Sequence, residues 1–284
     1  MKITTAIIPV AGYGTRRLPI TKAIEKCMLP IGNRPIVDYV VEDCVRAGVR
    51  DIWFVVGEDS RQIREYFGHN RHLEKYLRER GKTDMLAQIQ PPQNVRFHFV
   101  EQPADGKYGT TIPVALALAE IGTRQPVAVI MGDDFLYNPT GESDIARLLA
   151  AVENDGEAAL LGVKVPRELT PNYGVITLNK QGHFSHIVER PAAPADAPSD
   201  LINVSKYVLP PRVQELILQH FGDRADFPTT SDSGEYYIID PINAFVAAGG
   251  VVKVVANRGE YLDGGNLAGW LHANAVVGRD LLKS

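Results

Sequence analysis

Apolar runs typical of buried strands alternate with helix-like stretches along the first half of the chain. In chain order the strand patterns lie at residues 3–10, 51–56, 95–100 and 127–131, and the helix patterns lie at residues 36–47, 61–67 and 112–121. Alternation of this kind is typical of βαβ units, in which helices cover both faces of a parallel sheet. Because ligands bind at the carboxyl ends of the strands in such sheets, we expect an α/β fold whose functional residues directly follow strands.

The second half of the chain has a different pattern. Short strand patterns follow one another with little helix between them, at residues 158–165, 174–178, 184–189 and 202–209. They predict a mixed or antiparallel extension wrapped around the first half. Residues 190–198 are rich in Pro and Ala, and because strand patterns flank them on both sides we expect a surface loop there and not an interdomain linker.

The end of the chain predicts a helix, a strand and a closing helix. Asp240 and Pro241 suit the N-cap and the first position of a helix. A strand pattern follows at residues 251–256, and the closing helix is expected to end near Val277.

Composition narrows the class of protein. The 284 residues include 30 Lys and Arg against 34 Asp and Glu, a net charge of −4, with 45% hydrophobic and 23% charged residues. These values are those of an ordinary globular chain, and the length allows either two domains or one large α/β domain. The slight acidity argues against a dedicated nucleic-acid-binding protein. A small anionic substrate stays compatible, because a few well-placed cations suffice to bind it.

The cysteine count and the length of the apolar runs indicate where in the cell the protein is expected. Two cysteines, Cys27 and Cys44, form neither a disulfide scaffold nor a four-ligand zinc site. The N-terminal apolar run after Lys2 is too short for a targeting core, and no stretch has the roughly 18 apolar residues of a membrane helix. We therefore expect a soluble, cytoplasmic protein without a membrane partner.

A glycine-rich turn directly follows the first strand, at Ala11, Gly12, Gly14 and Thr15. Glycines at such a turn let backbone N–H groups approach a phosphate chain closely. A dinucleotide-binding fingerprint would need a third glycine where Arg17 stands, and a Walker A loop would need a Gly-Lys-Ser/Thr run that is absent. The turn therefore fits neither an NAD-linked oxidoreductase nor a P-loop NTPase.

The loop after this turn carries four cations within eleven residues, and Glu25 is its one acidic residue. The cations are Arg16, Arg17, Lys22 and Lys26. Two prolines, Pro19 and Pro30, bracket the loop and predict an extended conformation. The charge pattern predicts a triphosphate clamp, and the alternative is a generic glycine turn next to surface charge.

At this point the sequence resembles a known family. Residues 12–30 are similar to the signature of the sugar-1-phosphate nucleotidylyltransferases, and six further motifs follow in register. They are Gln102 with Gly109, Gly132-Asp133, Tyr173-Gly174-Val175, Val188-Glu189-Arg190-Pro191, the set Glu235, Ile238, Asp240 and Ile242, and Asp263-Gly264-Gly265-Asn266. The charged segment at residues 72–90 resembles a helical insertion of the uridylyl-transferring branch.

The resemblance implies a fold for the whole chain. It is an α/β fold of the nucleotide-diphospho-sugar transferase type, with a Rossmann-like, mostly parallel mixed sheet flanked by helices and a β-rich sugar-binding extension. The chain is then a single nucleotidylyltransferase domain. Its nucleotide-binding part spans about residues 1–135, its sugar-binding part about residues 136–265, and its C-terminal helix about residues 266–284.

The resemblance also assigns roles to residues. Lys26 and Arg16 are the expected catalytic residues, which stabilise charge near the α-phosphate and the pyrophosphate. The expected nucleotide-binding residues are Ala11, Gly12, Gly14, Thr15, Gln102 and Gly109, and the expected sugar-phosphate-binding residues are Gly174, Glu189 and Arg190.

Two carboxylates have the positions of metal ligands. Asp133 ends the strand pattern at residues 127–131, and Asp263 follows the pattern at residues 251–256. Carboxylates that converge at this edge suit Mg²⁺, although a lone Asp beside Gly more often caps a turn. The resemblance favours the metal role for both. The neighbouring Asp134 is either a supporting residue or simply exposed.

The implied reaction is nucleotidylyl transfer. An oxygen of glucose 1-phosphate attacks the α-phosphorus of UTP in line, pyrophosphate leaves and UDP-glucose forms. The nucleophile is already an anion, so catalysis needs cations around the phosphates and no general base. None of the histidines needs a catalytic role. Members of the family are commonly dimers or tetramers, so we expect a homo-oligomer.

Three departures from the family pattern leave alternatives open. Cys27 replaces a Glu near the nucleoside, Glu25 replaces a Pro, and Arg190 replaces the Lys that contacts the sugar phosphate. The glycine-rich stretch after Gln102 is also altered, at residues 105–109. The alternatives are the same chemistry with another sugar or nucleotide, such as dTTP, or a catalytically weak regulatory paralogue that binds nucleotide sugar. Retention of Lys26 with both metal-binding carboxylates argues against the paralogue.

Overall fold

The computed structural model describes residues 2–104, 109–122, 125–222 and 234–283. Within these ranges the strands are β1 (Thr5–Pro9), β2 (Pro30–Ile31), β3 (Arg34–Pro35), β4 (Asp51–Gly57), β5 (Arg96–Gln102), β6 (Val127–Ile130), β7 (Asp134–Tyr137), β8 (Ala158–Lys164), β9 (Gly174–Leu178), β10 (Phe184–Glu189), β11 (Leu201–Leu209), β12 (Val252–Ala256) and β13 (Glu260–Asp263). The helices are α1 (Ile36–Arg46), α2 (Gln62–Tyr66), α3 (Arg71–Glu79), α4 (Thr111–Ile121), α5 (Asp144–Ala150), α6 (Pro211–Gly222), α7 (Ile239–Ala247) and α8 (Leu267–Leu281).

One sheet runs through both halves of the described chain, in the order β10-β9-β11-β6-β1-β4-β5, with β8 beside β11 and β12 beside β8. Strands β6, β1, β4 and β5 are parallel neighbours. Strand β11 pairs antiparallel with β6 and β8, and β9 pairs antiparallel with β10. The predicted α/β fold with a mostly parallel sheet and an antiparallel extension is confirmed.

Helices cover both faces of the sheet, and strand alternation divides the core between them. Ala6 and Ile8 of β1 pack into one cluster with α1, α5 and α8, whereas Ile7 packs into the other with α4, α6 and α7. The two apolar faces of the central strands explain why their sequences show continuous apolar runs.

Most predicted elements coincide with those observed, but helix α7 begins earlier than expected. Its N-cap is Ile238, so Asp240 lies in the first turn and does not cap it. At this start the Ile238 N–H donates to the Oγ1 of Thr110, the N-cap residue of α4, over 2.9 Å. Asp240 still suits its position, since an acid in the first turn favours the helix dipole. Helix α8 extends four residues beyond the predicted Val277, to Leu281.

The loop predicted to be extended is instead coiled into three single turns of 3₁₀ helix, Thr15–Arg17, Ile20–Lys22 and Lys26–Met28. Backbone bonds between residues three apart close each turn, for example from Met28 N to Glu25 O at 2.8 Å. The segment at residues 72–90 is helical as expected, and residues 190–198 form a loop between two strands of the main sheet. Within the described ranges, none of the helices combines the length and hydropathy that a membrane span requires.

Candidate active site

The site lies at the carboxyl edge of the parallel strands. Ala11 follows β1, Gly57 and Gln102 end β4 and β5, and Asp133 lies just beyond β6. Gly57 is paired with Gln102, and the carbonyl oxygen of Ala11 lies 3.8 Å from where a Cβ on Gly57 would stand. The first turn and three neighbouring strand ends therefore share one edge of the sheet.

The glycine-rich turn is packed against the stem of Lys26. Gly14 adopts φ +65°, and a Cβ there would lie 2.9 Å from Lys26 Cβ and 3.1 Å from Thr21 Cγ2. The Thr21 hydroxyl donates to the Gly14 carbonyl oxygen over 2.9 Å. A left-handed backbone and this close contact both require glycine, and together they place Lys26 next to the turn.

Lys26 forms an ion pair with Asp133, through contact between Nζ and Oδ2. Both side chains are partly accessible, 27% and 30% exposed, so the pair faces the open site. Burial lowers the pKa of Lys26, but the charge and hydrogen bond of Asp133 outweigh it and the pKa is raised. Burial raises the pKa of Asp133, but Lys26 outweighs it and the pKa is lowered. Both groups are therefore charged at neutral pH.

Asp263 reaches the same place from the end of strand β13, just before helix α8. Its Oδ1 accepts from Gly265 N over 2.6 Å and its Oδ2 from Asn266 Nδ2 over 2.7 Å. Asn266 in turn caps α8 by accepting from Gly269 N over 2.9 Å. A Cβ on Gly265 would lie 2.8 Å from Asp263 Oδ1 and 3.4 Å from Asp133 Oδ2. The two carboxylates thus converge on the space that the missing side chain of Gly265 leaves open.

This donor set suits a metal ion that is partly coordinated by substrate. Across the described parts of the chain, no group of three or more His, Cys, Asp and Glu side chains could hold a metal ion. A pair of carboxylates is the set that Mg²⁺ uses when waters and phosphate oxygens complete its coordination. Asp133 and Asp263 therefore fit a metal ion that binds together with a phosphate chain.

The predicted four-cation clamp is wrong for Arg17. Its side chain is buried at 3% exposure, and Nη1 donates to Gly264 O over 2.7 Å and to Asn266 O over 2.9 Å. The guanidinium also lies 4.8 Å from the ring centroid of Trp270. It turns inward because it satisfies the carbonyl groups of the loop that carries Asp263. Arg16 is exposed. Its positive charge lowers the pKa of Lys26 and so opposes the larger effect of Asp133.

The motif residues of the second half form a separate rim, where Gly174 of β9 is paired with Glu189 of β10. The Glu189 carboxylate lies over Gly174, with Oε1 2.8 Å from the position of a Cβ on that glycine. Burial raises the pKa of Glu189, and Arg190 opposes the shift. Arg190 has φ +43° and donates its backbone N–H to Tyr173 O over 3.0 Å. Burial raises the pKa of Tyr173 and the charge of Asp263 adds to it, which places this rim near the carboxylates.

Gly109 lies just before helix α4, where the chain meets the segment before α7. Thr111 N donates to Tyr236 O over 3.0 Å, beside the contact of Thr110 with Ile238. Of the altered stretch at residues 105–109, residues 105–108 lie outside the described ranges.

The two departures on the cationic loop both point away from the turn. Cys27 is 2% exposed and packs in the apolar cluster under α1, and burial raises the pKa of its thiol. Glu25 caps helix α2: its carboxylate accepts from Ser60 Oγ over 2.7 Å and from Gln62 N over 2.9 Å. Glu25 therefore links the cationic loop to α2.

Comparison with known proteins decides the family. A family model described as nucleotidyl transferase matches residues 5–278 of the chain. The chain belongs to the nucleotidyl transferase family. The resemblance found in the sequence motifs is thereby confirmed.

Curated nucleotidyl transferases similar to this chain share one activity in their names. UTP–glucose-1-phosphate uridylyltransferase of Streptococcus pneumoniae is 37% identical over 224 residues, 76% of this chain and 73% of that protein. A relative from Methanocaldococcus jannaschii, which carries the same name with a provisional qualifier, is 35% identical over 98% of this chain and 94% of its own length.

Solved nucleotidyl transferase structures show the same fold. The UTP-bound UGPase from Acinetobacter baumannii has a TM-score of 0.84 at 29% identity, covering 98% of this chain and 94% of its own. A UDP-glucose pyrophosphorylase complexed with UDP-glucose has a TM-score of 0.79 at 26% identity, covering 98% of this chain and 99% of its own.

Sequence reasoning missed one part of this nucleotidyl transferase site, a buried polar network behind Asp133. Lys206 is 2% exposed, and its Nζ contacts Asp134 Oδ1. The Tyr261 hydroxyl donates to Asp134 Oδ2 over 2.9 Å. Burial raises the pKa of Asp134 to about 6, and the Lys206 charge opposes the shift. The available signal was a lysine in the apolar strand pattern at residues 202–209.

Proposed function

We propose that this chain transfers the uridylyl group of UTP to glucose 1-phosphate, giving UDP-glucose and pyrophosphate. Support comes from relatives of that name at 34–37% identity and from solved structures whose titles name bound UTP and UDP-glucose. The observation that carries the proposal is the convergence of Lys26, Asp133 and Asp263 at the carboxyl edge of the sheet. An ammonium and two carboxylates placed together suit a reaction between polyanions.

The reaction forms one P–O bond and breaks another. A phosphate oxygen of glucose 1-phosphate attacks the α-phosphorus of UTP, and the electron pair of the broken bond leaves with pyrophosphate. The nucleophile carries negative charge already, so no residue has to remove a proton. Lys26 and Arg16 stabilise the negative charge that develops on the α-phosphate and the leaving group. Positioned cations of this kind supply most of the catalysis in phosphoryl and nucleotidyl transfer.

The two halves of the chain bind different parts of the substrates. In the first half, the backbone N–H groups of the turn at residues 11–15 bind the phosphate chain. Gln102 reads the base, and Gly109 lets the backbone approach the nucleotide. On the second-half rim, Glu189 over Gly174 binds the sugar and Arg190 binds its phosphate. An arginine there presents a planar fork of donors to the phosphate, in place of the point charge of a lysine.

Asp133 and Asp263 hold the metal ion, which we propose to be Mg²⁺. Members of the nucleotidyl transferase family generally use a divalent metal. Magnesium, when bound, neutralises charge on the phosphates. Asp133 is already ionised by its pairing with Lys26, so it binds the metal without first losing a proton.

Division of the chain and its assembly follow the same proposal. Residues 1–135 bind the nucleotide, residues 136–265 bind the sugar and the rest forms the C-terminal helix of a single domain. Helix α8 and the residue after it expose Leu267, Leu271 and Leu282, which supports assembly into a homo-oligomer. The proposed substrates are those of a cytoplasmic enzyme. Light scattering during size-exclusion chromatography tests the assembly.

A pyrophosphate-release assay tests the activity and its specificity. The purified chain is assayed with UTP, dTTP, ATP or GTP against glucose 1-phosphate, galactose 1-phosphate and N-acetylglucosamine 1-phosphate, at saturating Mg²⁺. We expect UTP with glucose 1-phosphate to give the highest kcat/KM. A preference for dTTP would reassign the nucleotide. Tight UDP-glucose binding without pyrophosphate release from any pair would support the regulatory alternative.

A further inference from the structure

We propose that Lys206, acting through Asp134, is a positioning residue that fixes Asp133 and Asp263 relative to one another. The inference rests on the proposed function, because it concerns the metal-binding carboxylates of that reaction. Lys206 and Asp134 lie outside the motifs that carry the family resemblance, and neither faces the substrates.

The contacts join the strands that carry the two carboxylates. Lys206 belongs to β11, where it is paired with Ile130 of β6. Its Nζ contacts the Asp134 carboxylate and lies 3.4 Å from the Asp134 backbone oxygen. Asp134 is the first residue of β7 and directly follows Asp133. The ammonium of Lys206 therefore fixes the position of Asp134, the residue that follows Asp133.

The second carboxylate oxygen of Asp134 contacts strand β13, which carries Asp263. Tyr261 of β13 donates its hydroxyl to Asp134 Oδ2, and Asp263 lies two residues further along the same strand. Strands β13 and β7 are antiparallel, with Asp263 paired to Asp134. Gly264 N also donates to Asp133 O over 3.1 Å. One buried carboxylate thus fixes the spacing between the two metal-binding side chains.

Local backbone conformation directs Lys206 into this position. Between the paired points Asn203–Gly162 and Tyr207–Leu160, strand β11 has two more residues than β8. Ser205, inside this bulge, has φ +51°, a conformation that costs a non-glycine residue free energy. Bulges near active sites commonly redirect a side chain, and here the bulge accompanies the one lysine of the strand.

Stability alone does not account for the pair. Replacing a buried ion pair by apolar side chains of similar volume is often neutral or stabilising, because desolvation offsets the attraction. A lysine and an aspartate in a core of aliphatic residues therefore point to a geometric role. Residues that orient metal ligands typically change metal affinity or activity 10- to 100-fold when they are mutated.

Two variants of Lys206 and one control test the role. Lys206→Met removes the charge, Lys206→Arg retains it, and Arg147→Met removes a different cation, whose partner Asp144 is also buried. We expect Lys206→Met to weaken Mn²⁺ binding about 10-fold or more in the presence of UDP-glucose, measured by electron paramagnetic resonance of free Mn²⁺. Lys206→Arg should retain most of the affinity, and Arg147→Met all of it.

Kinetics provide a second readout. Lys206→Met should lower kcat and raise the Mg²⁺ concentration for half-maximal activity, with the KM for glucose 1-phosphate unchanged. In an Asp133→Asn background, Lys206→Met should reduce Mn²⁺ affinity no further, because the ligand that it positions is gone. Urea unfolding of each variant identifies any that fails to fold, and for such a variant Lys206→Arg supplies the comparison.

Three outcomes would overturn the proposal. They are unchanged Mn²⁺ affinity in folded Lys206→Met, an equal loss in Arg147→Met, or a full further loss in the Asp133→Asn background. Failure of the wild-type chain to make UDP-glucose would overturn the proposed function instead. The Mn²⁺ titrations need no turnover, so they still decide whether Lys206 positions the carboxylates.

Discussion

Nζ of Lys26 contacts Oδ2 of Asp133, so the proposed catalytic cation is paired with a proposed metal ligand. A metal ion held by Asp133 would compete with this contact and would leave the Lys26 ammonium available to substrate phosphates. The ion pair therefore keeps these two side chains charged and close together.

Replacing Lys26 tests its part in catalysis. We expect Lys26→Met to lower kcat by about 10²- to 10³-fold, the usual loss when one positioned donor to a developing charge is removed. Lys75→Met is the control, because Lys75 is an exposed lysine on helix α3, outside the cationic loop. Initial rates at saturating substrates and Mg²⁺ measure both. Equal losses in the two variants would contradict a specific role for Lys26.

Stability of the Lys26–Asp133 pair has a defined pH dependence. The folded-state pKa of Asp133 is lowered, so its contribution is present above the unfolded value and is lost as pH falls through the folded one. The folded-state pKa of Lys26 is raised, so its contribution is present below the unfolded value and is lost as pH rises through the folded one.

We therefore expect the difference in unfolding free energy between wild type and Asp133→Asn to stay constant between about pH 7 and pH 9, since neither group titrates there. Below this range the neighbouring Asp134, whose pKa is raised to about 6 by burial and in part by the charge of Asp133, adds its own pH dependence. Urea unfolding in the presence of EDTA measures the difference. A change centred between about pH 7 and pH 9 would show that the pair is not ionised as described.

Gly265 provides the space in which the two carboxylates meet. Gly265→Ala would place a methyl group 2.8 Å from Asp263 Oδ1, so we expect a large loss of activity and a raised Mg²⁺ requirement. Gly278→Ala in helix α8 is the control, because open space surrounds that position. It should retain activity and raise the unfolding free energy by up to about 1 kcal/mol. Normal Mg²⁺ dependence in Gly265→Ala would argue against convergence of the carboxylates.

Arg16 and Arg17 are neighbours with opposite expected effects. Arg17→Met leaves the buried Gly264 carbonyl and the part-buried Asn266 carbonyl without this donor, so we expect its unfolding free energy to fall by about 1–3 kcal/mol. Arg16→Met should instead lower kcat with little change in stability, because the Arg16 side chain is exposed. Urea denaturation and initial rates on both variants separate the two roles. The reverse assignment would restore Arg17 to the phosphate clamp.

Local pattern was enough to predict the parallel sheet and the residues at its edge. The apolar run of β1 and the glycine turn after it define a strand end, and the run before Asp133 defines another. Orientation of Arg17 was not predictable, because the carbonyl groups that it satisfies lie at Gly264 and Asn266, far along the chain. A charge pattern shows how many cations a loop carries and not which way each one points.

Two other features of the site depend on contacts between distant segments. The pairing of Lys26 with Asp133 requires the Lys26 stem to pack on Gly14 while β6 brings Asp133 alongside. The proposed role of Lys206 depends on the bulge at Ser205 and on the hydroxyl of Tyr261. Neither bulge nor partner has a periodic signature in the sequence, so only the folded chain shows them.

Phosphorus-31 NMR of a single reaction tests the central claim most directly. The wild-type chain is incubated with UTP, glucose 1-phosphate and Mg²⁺, and the spectra follow every phosphorus atom. Nucleotidylyl transfer predicts that the UTP resonances are replaced by those of UDP-glucose and pyrophosphate in equal amounts, without inorganic phosphate. Release of inorganic phosphate, or no conversion by folded protein, would contradict it.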